Sequence, residues 1–225
     1  MMEWVMKSYD KVFVTGCDKN TEWQLEWFLK NFKKHNKTIP IVFANFGVSD
    51  EKREWIYKVS AFDDIIDIPK QRMNGWFLKP KTLNLIDAHK LCWLDTDCEV
   101  LENVEDIWNH CEPDKLGMCE DRPWSKRSGE KWFNSGVMAI IDKPRILGAW
   151  IDACAKKPKQ GDQEVLHFMM GNPINQITHI SQLPHMYNWL RIDVEHDSTD
   201  SVNKRIMHWT GEKGNNVIRK KIYNG

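Results

Sequence analysis

Residues 91–100 constrain the fold more than any other stretch of this sequence. The stretch opens with the apolar run Leu-Cys-Trp-Leu, which has the length of a buried strand and leads directly into Asp95 and Asp97. Because side chains alternate faces along an extended backbone, residues i and i+2 are expected to project into one space. Two carboxylates held that close repel each other unless a cation joins them. The stretch therefore predicts a strand whose carboxyl end binds a divalent ion and, through it, a phosphorylated ligand.

Two other interpretations of the Asp95 and Asp97 pair stay open at this point. Aspartate is common in the turn after a strand, because its side chain hydrogen-bonds to the neighbouring backbone. An Asp-x-Asp-x-Thr loop is typical of phosphatases in which the first aspartate is the nucleophile, but position 99 is glutamate here and no glycine follows it. The pair therefore needs support from other segments.

Charge balance and cysteine spacing exclude several classes of protein. The chain has 225 residues, enough for one substantial α/β domain, and its 32 lysines and arginines equal its 32 aspartates and glutamates. Because the charges balance, the protein has no overall positive electrostatic field that would attract nucleic acid, so we predict no nucleic-acid partner. The six cysteines form no Cys-x-x-Cys pair, which predicts reduced thiols in a cytoplasmic protein and no zinc site. No apolar stretch approaches the roughly 20 residues of a membrane-spanning helix, so we predict no membrane span.

Strand and helix patterns alternate along the first third of the chain. Apolar runs at 11–16, 39–44 and 64–68 predict strands, and apolar residues at helical spacing over 22–36 and 51–59 predict the helices between them. Such alternation is typical of a parallel, doubly wound sheet that binds a nucleotide. The sequence contains neither the dinucleotide fingerprint G-x-G-x-x-G nor a P-loop, so phosphates must be held by a metal ion and by side chains.

Polar residues in the later segments are candidates for the same site. Lys79, just upstream of the paired aspartates, is either a solvated surface residue or a donor contact that reaches the phosphates. Asn134 and Ser135 begin a strand predicted at 133–141, where the following glycine permits close approach of a ligand. Asp162 begins a predicted helix and is either a simple N-cap or a site residue.

Three further segments complete the chain. We predict a polar loop over 120–130, a short strand over 177–180 and a glycine-rich turn at the end of 207–214. His208 lies in the last of these segments, and a lone histidine after an apolar residue is more often structural than a ligand.

Four motifs, in this order, resemble the signature of GT-A glycosyltransferases: Asp95-Thr96-Asp97, Phe133-Asn134-Ser135-Gly136, Gly161-Asp162-Gln163 and His208-Trp209-Thr210-Gly211-Glu212-Lys213. The nearest pattern is that of glycosyltransferase family eight, the retaining family that includes glycogenin and the bacterial lipopolysaccharide galactosyltransferases. Its members transfer a sugar from a nucleotide donor, usually a UDP-sugar, to an acceptor hydroxyl and use manganese. The resemblance implies an α/β fold made of one GT-A domain, with a mixed, mostly parallel central sheet flanked by helices. The nucleotide-binding part would cover about 9–101, and the acceptor and sugar part about 102–225.

The resemblance also implies a role for each matching residue. Asp95, Asp97 and His208 would bind the metal and, through it, the diphosphate. An imidazole among oxygen ligands favours Mn²⁺, with Mg²⁺ as the alternative. Asp162 and Gln163 would face the transferred sugar at the reaction centre. The donor contacts would come from Thr15, Asp18, Asn20, Thr96, Asn134, Ser135 and Lys213, and Lys79 is added from its position in the chain.

The sequence departs from the family pattern in two places. The family usually ends its last motif with Lys-Pro-Trp, whereas Lys213 comes one residue early and Gly214 follows it. The first loop also lacks the usual tyrosine after its Asp-Asn pair. Both departures fit a divergent member or a neighbouring GT-A family, including one with an inverting mechanism.

Two functions of other classes stay open. A nucleotidyltransferase also pairs carboxylates around a metal but attacks phosphorus, and the lack of a glycine-rich phosphate loop near the first strand is against it. A sugar- or nucleotide-binding module would bind the same ligands without turnover. The function that we expect is metal-dependent transfer of a hexose from a UDP-sugar to a saccharide acceptor, with retention of the anomeric configuration.

Overall fold

The computed structural model describes residues 7–68, 75–196 and 203–224, except the side chains of 75–76 and 194–196. Within these ranges the strands, in chain order, are β1 (Tyr9–Cys17), β2 (Ile41–Asn45), β3 (Asp64–Asp67), β4 (Ala88–Leu94), β5 (Cys98–Val100), β6 (Leu116–Glu120), β7 (Phe133–Ile141), β8 (Ile180–Gln182), β9 (Trp189–Leu190) and β10 (Ile206–His208). The helices are α1 (Leu25–His35), α2 (Asp50–Lys58), α3 (Lys79–Leu85), α4 (Arg122–Ser128), α5 (Ile146–Lys156), α6 (Asp162–Met170), α7 (Pro173–His179), α8 (Arg191–His196) and α9 (Gly211–Asn224).

A central sheet in the described part of the chain joins seven strands in the order β3-β2-β1-β4-β7-β6-β8. The strands from β3 to β4 run parallel, β7 runs antiparallel to β4 and to β6, and β8 is parallel to β6. The predicted mixed, mostly parallel sheet is confirmed. Because the chain moves outward from β1 to β3 and then returns to β4 on the other side, the strand order reverses between β1 and β4. Ligands of open α/β sheets bind at the carboxyl ends of the strands at such a reversal point.

A smaller sheet among the described residues joins β5, β10 and β9 in that order. β5 begins directly after Asp97, and its first residue, Cys98, pairs with His208 of the antiparallel strand β10. The backbone N–H of Trp209 also donates to the carbonyl oxygen of Asp97 at 3.0 Å. This pairing brings His208 beside Asp97, although the two residues are far apart in the sequence.

Alternate residues of the central strands fill two apolar layers, one on each face of the main sheet. Val12 and Val14 belong to the layer that includes α5 and α6, whereas Phe13, between them, belongs to the layer that includes α1. Each large side chain buried in this way stabilises the fold by about 1.5–3 kcal/mol. The fully buried Trp150 also donates its Nε1–H to the carbonyl oxygen of Asp162 at 3.0 Å. The core therefore positions the start of α6.

The six cysteines all lie within the described ranges and are free thiols. Burial raises the pKa of those in the sheet, such as Cys92. Among the described residues, no helix combines the length and the apolar character needed to cross a bilayer.

The predicted loop over 120–130 is wrong, because most of this segment forms α4. Asp121 is the N-cap and accepts a hydrogen bond from the backbone N–H of Trp124 at 3.1 Å. Pro123 lies in the first turn, and Gly129 ends the helix with a φ of 75°. The proline and glycine that predict a loop here start and stop a helix instead.

Two further predictions are wrong near the end of the chain. Residues 177–179 belong to α7, which Asn172 caps, and strand β8 begins only at Ile180. The glycine-rich turn predicted at the end of 207–214 is the first turn of α9, and Gly211 begins this helix with a φ of 72°. Gly214 is buried against the backbone carbonyl of Trp209, where a side chain would have no room.

Asp106 joins distant parts of the fold through Arg205 and Tyr187. Its Oδ1 accepts hydrogen bonds from Arg205 Nη1 at 2.5 Å and from Tyr187 Oη at 2.9 Å. Burial alone would raise the pKa of Asp106, but these hydrogen bonds lower it below the ordinary value of 3.8. The cluster therefore stabilises the fold only while Asp106 is ionised.

Replacing Asp106 with asparagine should lower the free energy of unfolding by about 1 kcal/mol at neutral pH, a modest loss because solvent screens this partly exposed pair. Since the pKa of Asp106 is depressed in the folded state, the difference in free energy of unfolding should have its full size above pH 3.8, the ordinary pKa. The difference should shrink as the pH falls through the lower folded-state pKa. Urea titrations at several pH values measure this difference. Tyr187→Phe keeps the ion pair and should keep most of the pH dependence. A loss that does not change with pH would contradict this account.

Candidate active site

A cleft formed by the described residues opens at the reversal point between β1 and β4. Its first lobe, of about 210 Å³, is lined by the end of β1, by Gln24 and Asn215, and by the turn after β4. Its second lobe, of about 460 Å³, is lined by the starts of β7 and α6 and by His208. Lys79 and Asp95 belong to the walls of both lobes, so the two volumes meet at these side chains. Taken together, the lobes have the size of a small-ligand site.

The paired aspartates lie in a turn and not on the strand. β4 ends before Asp95, whose backbone N–H donates to the carbonyl of Gly136 at 2.8 Å. The prediction that Asp95 and Asp97 share a direction because side chains alternate along a strand is therefore wrong, since the strand has already ended at Leu94. The two carboxylates nevertheless lie close enough to interact. Burial raises the pKa of Asp95, Lys79 opposes this rise, and the charge of Asp97 adds to it.

Lys79 is the buried centre of the site. It is 3% exposed, and its Nζ lies 3.2 Å from carboxylate oxygens of both Asp95 and Asp162. Ser135 adds its carbonyl and hydroxyl oxygens at 3.2 and 3.3 Å. Burial alone would lower the pKa of Lys79, but the two carboxylates raise it above its ordinary value, so the ammonium stays charged. The interpretation of Lys79 as a solvated surface residue is wrong, and its contact with donor phosphates stays a prediction.

The start of α6 presents Asp162 and Gln163 to the second lobe. Gly161 occupies the N-cap position, and its N–H donates to the carboxylate of Glu164 at 2.5 Å. Asp162 is therefore not the cap, and its carboxylate, on a residue only 5% exposed, pairs with Lys79. The interpretation of Asp162 as a simple helix cap is wrong.

His208 is held by three neighbours. Its Nε2 lies 3.1 Å from Asp97 Oδ1, and its Nδ1 lies 3.0 Å from Asn188 Oδ1. Because an amide oxygen only accepts, Nδ1 carries the proton that it donates to Asn188. Burial alone would lower the pKa of His208, but Asp97 raises it. The third neighbour is Gly136, where an added Cβ would lie 2.6 Å from Nδ1, which is closer than real Cβ atoms approach their neighbours.

Asp97 and His208 fit a divalent cation. The possible ligand atoms of Asp97, Cys98 and His208 all lie within 4.8 Å of one another. Burial raises the pKa of the Cys98 thiol well above its ordinary value, and its sulfur lies 3.9 Å from the carbonyl oxygen of Gly136. A carboxylate and an imidazole together can bind a divalent ion, and the choice of Mn²⁺ stays a prediction. Asp95, the third predicted ligand, contacts Lys79 and accepts from Trp93 Nε1 at 2.6 Å, so its role at the metal stays a prediction.

A chain of side-chain amides connects His208 to the second lobe. Asn188 Nδ2 donates to Asn134 Oδ1 at 2.8 Å, and Asn134 Nδ2 donates to Gln163 Oε1 at 3.0 Å. Gln163 Nε2 in turn donates to Asp121 Oδ2 at 3.0 Å. The structure thus brings the predicted residues Asn134 and Gln163 into direct contact.

Asp121 and Asn188 are members of this network that the sequence analysis missed. Asp121 carries a signal, since it is an aspartate two residues before a proline at a helix start, but its segment has the composition of a loop. Asn188 is 0% exposed and lies between short elements with no periodic pattern, so no local signal marks it.

The predicted donor contacts at the first lobe are only partly brought together. Asp18 and Thr96 line this lobe. Thr15 is buried inside β1, the amide of Asn20 donates to the Asp18 carboxylate at 3.2 Å, and Lys213 is exposed on α9. These three residues do not line the walls of either lobe, and their contacts with a donor stay predictions.

Gln24 and Asn215 line the first lobe and were missed. Gln24 accepts a hydrogen bond from the Thr96 hydroxyl at 2.6 Å and donates one to Asn215 Oδ1 at 2.8 Å. These bonds connect the turn after β4 to α9. Neither residue belongs to a recognisable motif, and Asn215 lies in the helix whose start was predicted as a turn.

Solved glycosyltransferases share this fold over most of the chain. The galactosyltransferase LgtC, solved in complex with donor and acceptor sugar analogs, is 17% identical, with a TM-score of 0.66 over 89% of this chain and 87% of that chain. The glycosyltransferase GlyE of Streptococcus pneumoniae TIGR4 is 18% identical, with a TM-score of 0.67 over 91% of this chain and 55% of its own length. Mouse xyloside xylosyltransferase 1 is 14% identical, with a TM-score of 0.56 over 89% of this chain and 97% of that chain.

At these identities the likeness establishes the GT-A fold alone, as the sequence motifs predict. No protein-family model matches the sequence, and no curated protein matches it either.

Replacing Gly136 with alanine should displace the imidazole of His208, because the new Cβ would overlap its ring. We expect the affinity for Mn²⁺ to fall by at least about 10-fold, measured by electron paramagnetic resonance of the free ion. Gly148→Ala is the control, since a Cβ there meets nothing within 4 Å on an exposed face of α5. A folded Gly136→Ala protein with unchanged Mn²⁺ affinity would show that His208 is not a ligand.

Proposed function

We propose that this chain is a metal-dependent glycosyltransferase that moves a hexose from a UDP-sugar to a hydroxyl group of a saccharide acceptor, with retention of the anomeric configuration. The observation that carries this proposal is the position of Asp97 and His208, whose carboxylate and imidazole could hold an ion beside a two-lobed cleft at the reversal point of a GT-A sheet. In this proposal residues 9–101 supply the nucleotide side, and residues 102–225 supply the sugar and acceptor side.

The first lobe suits the nucleoside part of the donor. Phe46 and Trp93 line this lobe, with their rings 6.0 Å apart and 20° from parallel, and they make part of its wall apolar, as suits a base. Asp18, Gln24 and Asn215 add donors and acceptors that match the polar edge of a base or the hydroxyls of a ribose. Thr15, Asn20 and Lys213 stay proposed donor contacts, although none of them lines this lobe.

The diphosphate lies, in this proposal, where the two lobes meet. Asp97, His208 and Asp95 would hold a divalent ion there, whose Lewis acidity would offset the charge that grows on the leaving oxygen. Thr96 and Ser135 border the same junction. The ammonium of Lys79 lies 3.2 Å from carboxylate oxygens of both Asp95 and Asp162, and it offsets their negative charge where an anionic ligand binds.

The sugar occupies the second lobe. Gln163 is a neutral amide whose oxygen and nitrogen both make hydrogen bonds, to Asn134 and to Asp121, so it orients the sugar and does not attack it. The negative charge of Asp162 stabilises positive charge on the ring. The acceptor oxygen bonds to the anomeric carbon as the bond to the diphosphate oxygen breaks, and the hydroxyl proton passes to the leaving phosphate. Attack from the side of the departing diphosphate retains the configuration.

Replacing Asp97 with asparagine should lower UDP release from UDP-hexoses in Mn²⁺ by at least about 100-fold, because the substitution removes an anionic metal ligand. The measurement is a coupled assay for UDP across a panel of UDP-hexoses with Mn²⁺, Mg²⁺ or EDTA. Asp152→Asn, which removes an exposed carboxylate on α5, is the matched control and should keep the wild-type rate.

Three outcomes would overturn parts of the proposal. UDP release that neither EDTA nor Asp97→Asn reduces would refute the metal assignment. Pyrophosphate release from UTP, without UDP release from any UDP-hexose, would identify a nucleotidyltransferase. Binding of UDP-hexoses without any turnover would identify a binding module.

The configuration of the product tests retention separately. With UDP-galactose, whose galactosyl bond is α, the new glycosidic proton in the ¹H NMR spectrum should have the small coupling constant of an α-linkage. A β-linked product would show inversion, and the role given to Gln163 would then be wrong.

A further inference from the structure

A second concave surface lies outside the cleft, and we call it the α6–α7 groove. It encloses about 780 Å³ beside the edge strand β8, and its walls include Phe133, His167, Phe168, Gln176, Ile177 and Gln182. This volume is within the range of pockets that bind small organic ligands. The mechanism proposed above does not use it.

The groove presents an aromatic ring in a fixed orientation. Phe168 is 54% exposed, and its ring meets that of the buried Trp132 edge to face at 5.9 Å. Trp132 in turn stacks on His167 at 3.6 Å and 9°. Beside this ring, Ile177 is 72% exposed on α7. A flat, partly exposed ring held by a buried aromatic base is suited to the apolar face of a sugar.

The polar groups of the groove favour an uncharged ligand. Lys115 pairs with Glu112 at 2.9 Å, and His167 contacts the Glu130 carboxylate at 3.0 Å. Lys131 donates to the side-chain oxygen of Gln182 at 2.6 Å. Because these charged side chains already have partners, a charged ligand would have to displace them. Gln176 Nε2 donates to the carbonyl oxygen of Lys131 at 3.0 Å, so it is the amide oxygen of Gln176 and the amide nitrogen of Gln182 that match the hydroxyl groups of a neutral ligand.

The groove and the proposed reaction centre both lie against the helix α6. Gln163 lies in the first turn of this helix, at the second lobe, and Phe168 lies five residues further on, which is about 7.5 Å along the helix axis. The cavity between the two surfaces, which is lined by Gln163, His167 and Phe133, has a volume of only about 10 Å³, so a ligand that reaches both must pass along the protein surface. A chain of linked sugars is the ligand that would occupy both places at once.

We propose that the α6–α7 groove binds the non-reacting part of a neutral oligosaccharide acceptor, while the reacting hydroxyl lies at the second lobe. This inference rests on the proposed function. Phe168 carries a sugar ring, and the side-chain amides of Gln176 and Gln182 hydrogen-bond to its hydroxyls. The groove thereby selects acceptors longer than one sugar residue.

The test is binding of the full chain to an array of neutral α- and β-linked oligosaccharides of two to six hexose residues, without donor or metal. Wild-type protein should bind a subset of these glycans, and Phe168→Ala should weaken that binding by at least about 10-fold, since stacking on an aromatic surface is lost. Tyr57→Ala removes another exposed ring, on α2 near the opposite edge of the sheet, and should bind as wild type does. Thermal melting confirms that each variant is folded.

Three outcomes would overturn the inference. Wild-type protein that binds no oligosaccharide on the array has no such site, and the assay for UDP release reports independently on the proposed function. Phe168→Ala that binds as well as wild type shows that the glycan lies elsewhere. A wild-type dimer in sedimentation velocity that Ile177→Asp converts to a monomer shows that the groove is a self-association surface.

Discussion

The arrangement of the site depends on the buried ammonium group of Lys79. It joins the start of α3 to the turn after β4, the start of β7 and the start of α6, through Asp95, Ser135 and Asp162. A buried ion cluster of this kind adds little net stability, because the loss of hydration offsets most of the attraction between the charges. Its effect is geometric: without the ammonium the two carboxylates would repel, and these elements would lose the contact that sets their relative positions.

The topology explains how distant segments meet at this ammonium. The reversal of strand order between β1 and β4 opens the crevice, and β7 enters the sheet antiparallel to β4, so the first residues of β7 lie beside the last residues of β4. The smaller sheet then pairs Cys98 with His208. Backbone pairing of the two strands therefore places the imidazole of His208 next to the carboxylate of Asp97.

Much of the fold follows from local patterns, whereas the contacts inside the site do not. The strands and helices from β1 to β3 form where the spacing of apolar residues predicts them, and Asp95 and Asp97 follow a buried strand as expected. Helices α4, α7 and α9 were missed because their prolines and glycines are typical of loops and turns. In the structure most of these residues lie at helix ends, and Gly214 packs against the backbone of Trp209. The partners of Lys79 could not be predicted, since they come from three separate segments and no local period links them.

The chain of amides from His208 through Asn188 to Asn134 has a consequence for how such a protein can diversify. The amide nitrogen of Asn134 donates to Gln163 in the wall of the second lobe. Its amide oxygen accepts from Asn188, which in turn contacts the imidazole of His208. A substitution at Asn134 that adapts the pocket to a different epimer would also loosen the histidine. Under the proposed function, new donor preferences should therefore arise more readily from residues outside this chain of amides, such as Lys159 in the wall of the second lobe, than from Asn134.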